Sequence, residues 1–275
     1  MNPLARTAAL LTALLLFPLP ASAQKPYEPQ IGQPGKDVIW VPTPDDVVER
    51  MLRMAQVTPN DLVYDLGAGD GKIAIAAAKK FGASAVGIEY DGDMAKHAQG
   101  NVDKAGVAAM ARIVQGDIFV TDFSQATVVT MYLLPALNMK LRPTLLAMRP
   151  GTRVVSHSFS LEDWDADEIS TMDGRRAYFW VVPANVHGTW TLESGSAKNQ
   201  ISFEQRFQKI EGTVTIGQMQ GGLRDARLRG FAISFAWVDK DGVLRSYQGR
   251  VTGARMEGTF RGDNGAEGRW SAIKR

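Results

Sequence analysis

The segment Val63-Tyr64-Asp65-Leu66-Gly67-Ala68-Gly69-Asp70-Gly71 constrains this chain more than any other. A short apolar run, Leu62 to Leu66, reads as a buried strand. Three alternating glycines follow, and Lys72 to Lys80 reads as a helix rich in alanine and isoleucine. A strand, a glycine turn and a helix together make a ligand site, because the turn lets a ligand lie against bare backbone and the helix start presents unpaired N–H groups. Gly67, Gly69 and Gly71 give G-x-G-x-G behind an acid. The dinucleotide fingerprint is G-x-G-x-x-G without that acid. Asp65 at the strand tip would face an ammonium rather than a pyrophosphate. Asp70 reads as a cap of the following helix.

The pattern continues as strands alternating with helices. A second strand, Ala85 to Tyr90, ends near Glu89, 24 residues after Asp65 and close to where a ribose-binding acid falls in a nucleotide-binding βαβ unit. Helix Asp91–Lys104 and strand Ala111–Gln115 lead into Gly116-Asp117-Ile118-Phe119. Ala126–Met131 is apolar throughout, as a strand buried on both faces requires. Helix Leu137–Met148 carries its Met and Leu residues at core spacing, and Pro150-Gly151 turns into strand Arg153–Ser158. Such alternation predicts an α/β fold with a Rossmann-like, doubly wound, mostly parallel sheet. Ligands bind beyond the carboxyl ends of those strands, where Asp65, Glu89 and Asp117 all fall. No helix follows strand five. Glu168–Met172 and Ala177–Val182 read as a closing antiparallel pair, which leaves one sheet face less covered.

The glycine segment and the two later strand-end acids, in that order, resemble the class I, seven-stranded S-adenosylmethionine-dependent methyltransferases from about Trp40 to Pro183. The resemblance implies S-adenosyl-L-methionine as cofactor. It assigns Asp65 and the backbone of Gly67 and Gly69 to the methionine end, Glu89 to the ribose hydroxyls and Asp117 to the adenine amino group. Tyr90 and Ile118 would sandwich the adenine ring. Trp40-Val41-Pro42-Thr43-Pro44, and Tyr132-Leu133-Leu134-Pro135 after strand four, are similar to segments of small protein-lysine methyltransferases of this fold. In that group the first segment lies over the cofactor. Tyr132 and Pro135 are therefore the candidate catalytic residues, and the methyl acceptor implied is a protein lysine.

The chain of 275 residues lacks cysteine, which excludes a disulfide framework and any cysteine nucleophile or ligand. Its three histidines, His97, His157 and His187, are scattered, so no metal site is expected. His157, ending strand five, could serve as a base or as a structural partner. Hydrophobic content of 45% supports a sizeable core and argues against disorder. Arg6, the apolar run Ala8–Phe17 and Ala21-Ser22-Ala23 form a secretory leader with a cleavage site before Gln24, or else an uncleaved anchor. The run is short for a membrane span, and no later segment would span a bilayer after leader removal. The mature protein is expected to be periplasmic or secreted.

The chain divides into leader 1–23, an extended Pro/Gly/Gln-rich arm 24–36, a methyltransferase domain 37–183 and a β-module 184–275. Pro44 reads as the first residue of a helix to about Gln56, with Thr43 as cap. Residues 24–183 hold 16 basic against 20 acidic residues, and 184–275 hold 14 against 9, so the second part has a basic balance. Those charges are dispersed, which favours a solvated surface, and no nucleic-acid partner is expected. Gly188-Thr189-Trp190, Gly212-Thr213-Val214, Gly249-Arg250-Val251, Gly258-Thr259-Phe260 and Gly268-Arg269-Trp270 open short alternating strands, with a hairpin turn at Asp239–Gly242. This predicts a small antiparallel half-barrel or sandwich with Trp190, Trp237 and Trp270 in its core or on a binding face.

Methyl transfer from a sulfonium is an in-line displacement, so the enzyme aligns the acceptor and disposes of its proton. No N-P-P-[YF] or D-P-P-[YF] follows strand four, which argues against amino-adenine and glutamine-amide acceptors. No acidic cluster ends that strand, which argues against metal-dependent catechol chemistry. A lysine amine beside an aromatic opening fits what remains. The alternative of a different class is an exported binding or scaffold protein that keeps the fold without turnover.

Overall fold

The structure is a computed structural model, and it describes residues 27–275. The expected leader lies outside the described residues. The first half runs α1 (Asp45–Met54), β1 (Leu62–Leu66), α2 (Lys72–Phe81), β2 (Ser84–Glu89), α3 (Gly92–Lys104), β3 (Ala111–Gln115), β4 (Val128–Met131), α4 (Pro135–Leu146), β5 (Arg153–His157), β6 (Glu168–Met172) and β7 (Arg175–Val181). These form one seven-stranded sheet in the order β3-β2-β1-β4-β5-β7-β6. β1 to β5 are parallel, while β7 runs antiparallel to both β5 and β6. Strand order reverses between β1 and β4, and that switch point opens a crevice beyond the strand ends.

Alternate strand residues feed two cores. On one face Val63, Ala85 and Val155 pack with Val48, Met51 and Leu52 of α1 and Ala74, Ala77 and Ala78 of α2. On the other, Leu66, Ile88, Val129 and Met131 pack with Leu141 and Leu145 of α4 and with Trp164 and Trp180. The apolar β4 is buried at all four positions, as a central strand covered on both faces demands.

As expected, no helix lies between β5 and β6 in the chain; α1 covers β5 and β7 on one face, and the opposite face beside them is left open. The gap in that face is filled instead by two other parts of the chain. Trp164, fully buried on the loop after β5, lies 6.0 Å from Trp180, and Phe207 of the second half stacks on Trp164 at 5.9 Å. Gln208 Nε2 donates to Asp165 O at 2.7 Å, Arg206 pairs with Asp163 at 3.2 Å, and Lys209 pairs with Asp165. The uncovered face is therefore the joint between the two halves.

The second half is an antiparallel meander: β8 (Gly188–Ser194), β9 (Ala197–Arg206), β10 (Lys209–Ile216), β11 (Met219–Gly222), β12 (Arg224–Arg229), β13 (Ala232–Val238), β14 (Leu244–Thr252), β15 (Arg255–Gly262) and β16 (Glu267–Lys274). The sheet order is β11-β10-β9-β8-β16-β15-β14-β13-β12. First and last strands pair through β8 and β16, and at the other end Leu223, between the edge strands β11 and β12, donates its N–H to Gly212 O of β10 at 2.8 Å, turning β12 back against β10. The result is a nearly closed, barrel-like sheet. Trp190, Trp237 and Trp270 lie inside it, at most 3% exposed; Trp237 stacks with Phe235 and Tyr247, and Trp270 meets both rings edge-on. They are core, and they form no open binding face.

Two local expectations are corrected. Pro44 stands just outside α1 as its N-cap residue, with no side-chain cap. Thr43 turns its hydroxyl to His157 Nδ1 (3.2 Å) instead of capping the helix. Residues 31–40 do not run on as an extended arm. They double back as a hairpin closed by Gly32 N→Trp40 O (2.8 Å) and Trp40 N→Gln33 O (2.9 Å).

Candidate functional site

Beyond the carboxyl ends of β1, β2 and β4 lies a cavity of about 260 Å³. Asp65, Gly67, Gly69, Glu89, Tyr90, Asp117, Ile118 and Tyr132 all line it, drawn from four strand ends and the loops after them. Pro135 does not. It is the exposed first residue of α4, where its fixed φ suits a helix start. The hairpin and the residues up to Thr43 form the opposite wall.

The glycine turn is shaped for close approach. Gly67, Gly69 and Gly71 all have positive φ. A Cβ on Gly69 would stand 2.5 Å from the Trp40 indole nitrogen, so a larger residue there would displace Trp40 as well as crowd a ligand. Gly69 N donates to Glu89 Oε2 (2.8 Å) and Asp91 N to Glu89 Oε1 (3.0 Å). Each oxygen keeps a lone pair for another donor. The N-cap position of α2 is Gly71, and Asp70, one residue outside it, accepts from Lys72 N at 3.2 Å.

Asp65 is only 2% exposed, and among the described residues its single side-chain partner is Thr130, whose hydroxyl donates to Oδ1 at 2.8 Å. Burial pushes its carboxyl up to about 7, the Thr130 bond pulls the other way, and the charges of Asp70 and Glu89 add to the rise. Burial also raises Glu89, against the backbone bonds it accepts. A buried carboxylate without a cation is the complement of an incoming ammonium. Together with bare glycine backbone and a second acid at the β2 end, this donor set fits an amino-acid-bearing nucleoside such as S-adenosylmethionine. Asp117 differs. Its Oδ2 pairs with Lys36 Nζ at 2.8 Å and its Oδ1 accepts Phe119 N–H at 2.9 Å, and the Lys36 bond holds its carboxyl below the usual range.

Tyr132 stands between two rings. His157 lies 4.0 Å from it and Phe159 stacks at 6.3 Å. Phe159 lines the cavity, while His157 is buried beneath. Burial, helped by the charge of Arg175, holds His157 down to about 4, so it is neutral around pH 7. It packs Tyr132 and Thr43 rather than facing the cavity. Asn138, fully buried on α4, ties the loop down by donating to Phe159 O (3.3 Å) and Ser160 O (3.1 Å). Ser158 in that loop takes φ 64°, a strained value for a non-glycine.

Sequence reasoning missed Phe159 and Lys36. The rule that ligands gather beyond strand ends could have reached Phe159, which lies just past the end of β5. Nothing in the Pro/Gly/Gln segment marks Lys36. Among the described residues no cluster of potential metal ligands occurs, and no helix is long and apolar enough to cross a membrane.

Residues 65–168 match the ANTKMT methyltransferase domain family. A protein-lysine N-methyltransferase of Saccharolobus islandicus is 49% identical over 151 residues, covering 53% of this chain and 94% of that protein. The mouse adenine nucleotide translocase lysine N-methyltransferase is 30% identical over 157 residues, covering 55% of this chain and 62% of that protein. A structure of an RNA methyltransferase from Salinibacter ruber with S-adenosyl-L-homocysteine is 50% identical, with a TM-score of 0.52, covering 53% of this chain and 96% of that one.

Proposed function

Because this chain belongs to the class I S-adenosylmethionine-dependent methyltransferases, we propose that its acceptor is a lysine side chain of a protein, and that it works outside the cytoplasm. The cofactor supplies an electrophilic methyl on a sulfonium. The protein binds, orients and keeps water out. Asp65 takes the cofactor ammonium, beside the backbone of Gly67 and Gly69. Glu89 accepts from the ribose hydroxyls with its remaining lone pairs. Asp117 takes the adenine amino group, and Tyr90 and Ile118 flank the ring.

One observation carries the choice of acceptor. Among the described residues, six carboxylates and only two ammonium groups line the cavity, and both ammonium groups are ion-paired, Lys36 with Asp117 and Lys72 with Asp45. Such a wall suits a cationic approach and repels a phosphate backbone. At the Tyr132 end the wall turns apolar and aromatic, with Phe159, Leu133, Leu134 and Val41. An amine entering there sheds water, which favours its neutral, nucleophilic form. The lysine-modifying relatives support this reading, and the Salinibacter RNA methyltransferase supplies its rival. The expected leader at 1–23 supports export.

The test is incubation with methyl-labelled S-adenosylmethionine and envelope extract. Label in nuclease-resistant protein, recovered as methyl-lysine after hydrolysis, is the expected result. Label confined to RNA would replace the acceptor, and cofactor binding without label anywhere would favour a binding protein. Intact mass of the native protein addresses export, since a chain starting at Gln24 is expected.

A further inference from the structure

The N-terminal hairpin carries a lysine into the adenine end of the cavity. Lys36 sits in its turn, where Gly35 N donates to Val38 O at 2.7 Å. Its Nζ lies 2.8 Å from Asp117 Oδ2 and 4.3 Å from the centroid of the Tyr90 ring. The other Asp117 oxygen is held by Phe119 N–H. The same strap is seated a second time where the Trp40 indole lies on Gly69. On the cofactor reading proposed above, on which this inference rests, Asp117 and Tyr90 receive the adenine amino group and ring face. A flat base cannot cover Tyr90 and donate to Asp117 while an ammonium holds both. The cavity volume agrees. At about 260 Å³ it falls below the roughly 300–1,000 Å³ of ordinary small-molecule sites.

We infer that Lys36 is an intramolecular competitor of adenine, which lowers cofactor affinity by occupying Asp117 and Tyr90 and is displaced when the base enters. A lysine suits this task. Its stem is flexible and its pair is part-exposed, so the side chain swings away without breaking the hairpin's backbone bonds. Affinity is thereby set by a residue outside the glycine turn and outside every strand-end acid.

Calorimetric titration with S-adenosylhomocysteine tests this on the full chain in four forms: wild type, Lys36→Met, Asp117→Asn and the double variant. Methionine keeps the stem and removes the charge. Lys36→Met is expected to bind roughly three- to ten-fold tighter, the size expected for a weak ion pair plus a cation–π contact. In the Asp117→Asn background the gain should shrink, because the two residues act through one contact. Weaker or unchanged binding by a Lys36→Met protein with wild-type thermal unfolding overturns the inference, as does an equal gain in both backgrounds. Failure of the cofactor reading itself looks different: none of the four proteins would bind.

Discussion

Asp65 is where site chemistry and stability pull apart. Its folded-state carboxyl is raised to about 7 by burial, above the ordinary value of 3.8. Between those values the folded state holds the extra proton, so stability falls as pH climbs through this window and stays lowered above it. Asp65→Asn keeps the bond from Thr130 and removes the buried charge. It should raise the melting temperature at pH 8, change it little at pH 4, and weaken S-adenosylhomocysteine binding. A variant no more stable than wild type at pH 8 would mean that Asp65 is already compensated. Glu89→Ala removes a charge-assisted contact, worth roughly 1.5–3 kcal/mol, so cofactor affinity should drop about ten- to a hundred-fold. Wild-type affinity in a folded Glu89→Ala protein would remove Glu89 from the site.

Among elements, the loops after β4 and β5 act together. Tyr132 on the first is packed by His157 at the end of β5 and by Phe159 of the second, and Asn138 of α4 pins the latter. Asp65 and Glu89 sit on other strands. Tyr132→Ala should therefore cut methyl transfer strongly while S-adenosylhomocysteine affinity, read by calorimetry, stays nearly constant. Equal loss of both would make Tyr132 a support for cofactor or fold. In the sequence His157 stands out only as a histidine at a strand end. Its actual neighbours, Thr43 and Tyr132, lie 114 and 25 positions away, so no spacing rule could pair them.

For the whole molecule, the barrel-like half completes the first half rather than hanging beside it. Phe207 stacks on Trp164, and the Arg142 guanidinium lies 5.6 Å from the centroid of its ring. Phe207→Ala should destabilise the protein by about 1–3 kcal/mol, less than a fully buried Phe because the ring is part-exposed. Urea unfolding followed by tryptophan fluorescence reads this directly. Loss below about 0.5 kcal/mol would mean that the halves are stable independently of this contact.

Local chemistry was legible in the sequence. Strand, glycine turn and helix are adjacent residues obeying short-range rules, so β1, α2 and the acids at 65, 89 and 117 could be placed from spacing alone. The antiparallel meander was legible for the same reason, since each hairpin joins neighbours in the chain. Tertiary structure alone decided what crosses long separations. Lys36 meets Asp117 across 81 positions, Thr43 meets His157 across 114, and Phe207 closes a sheet face that the earlier segment leaves open. Those contacts depend on burial and on which surfaces the fold brings together. The energies involved are shared among many side chains, so no single position in the chain announces them.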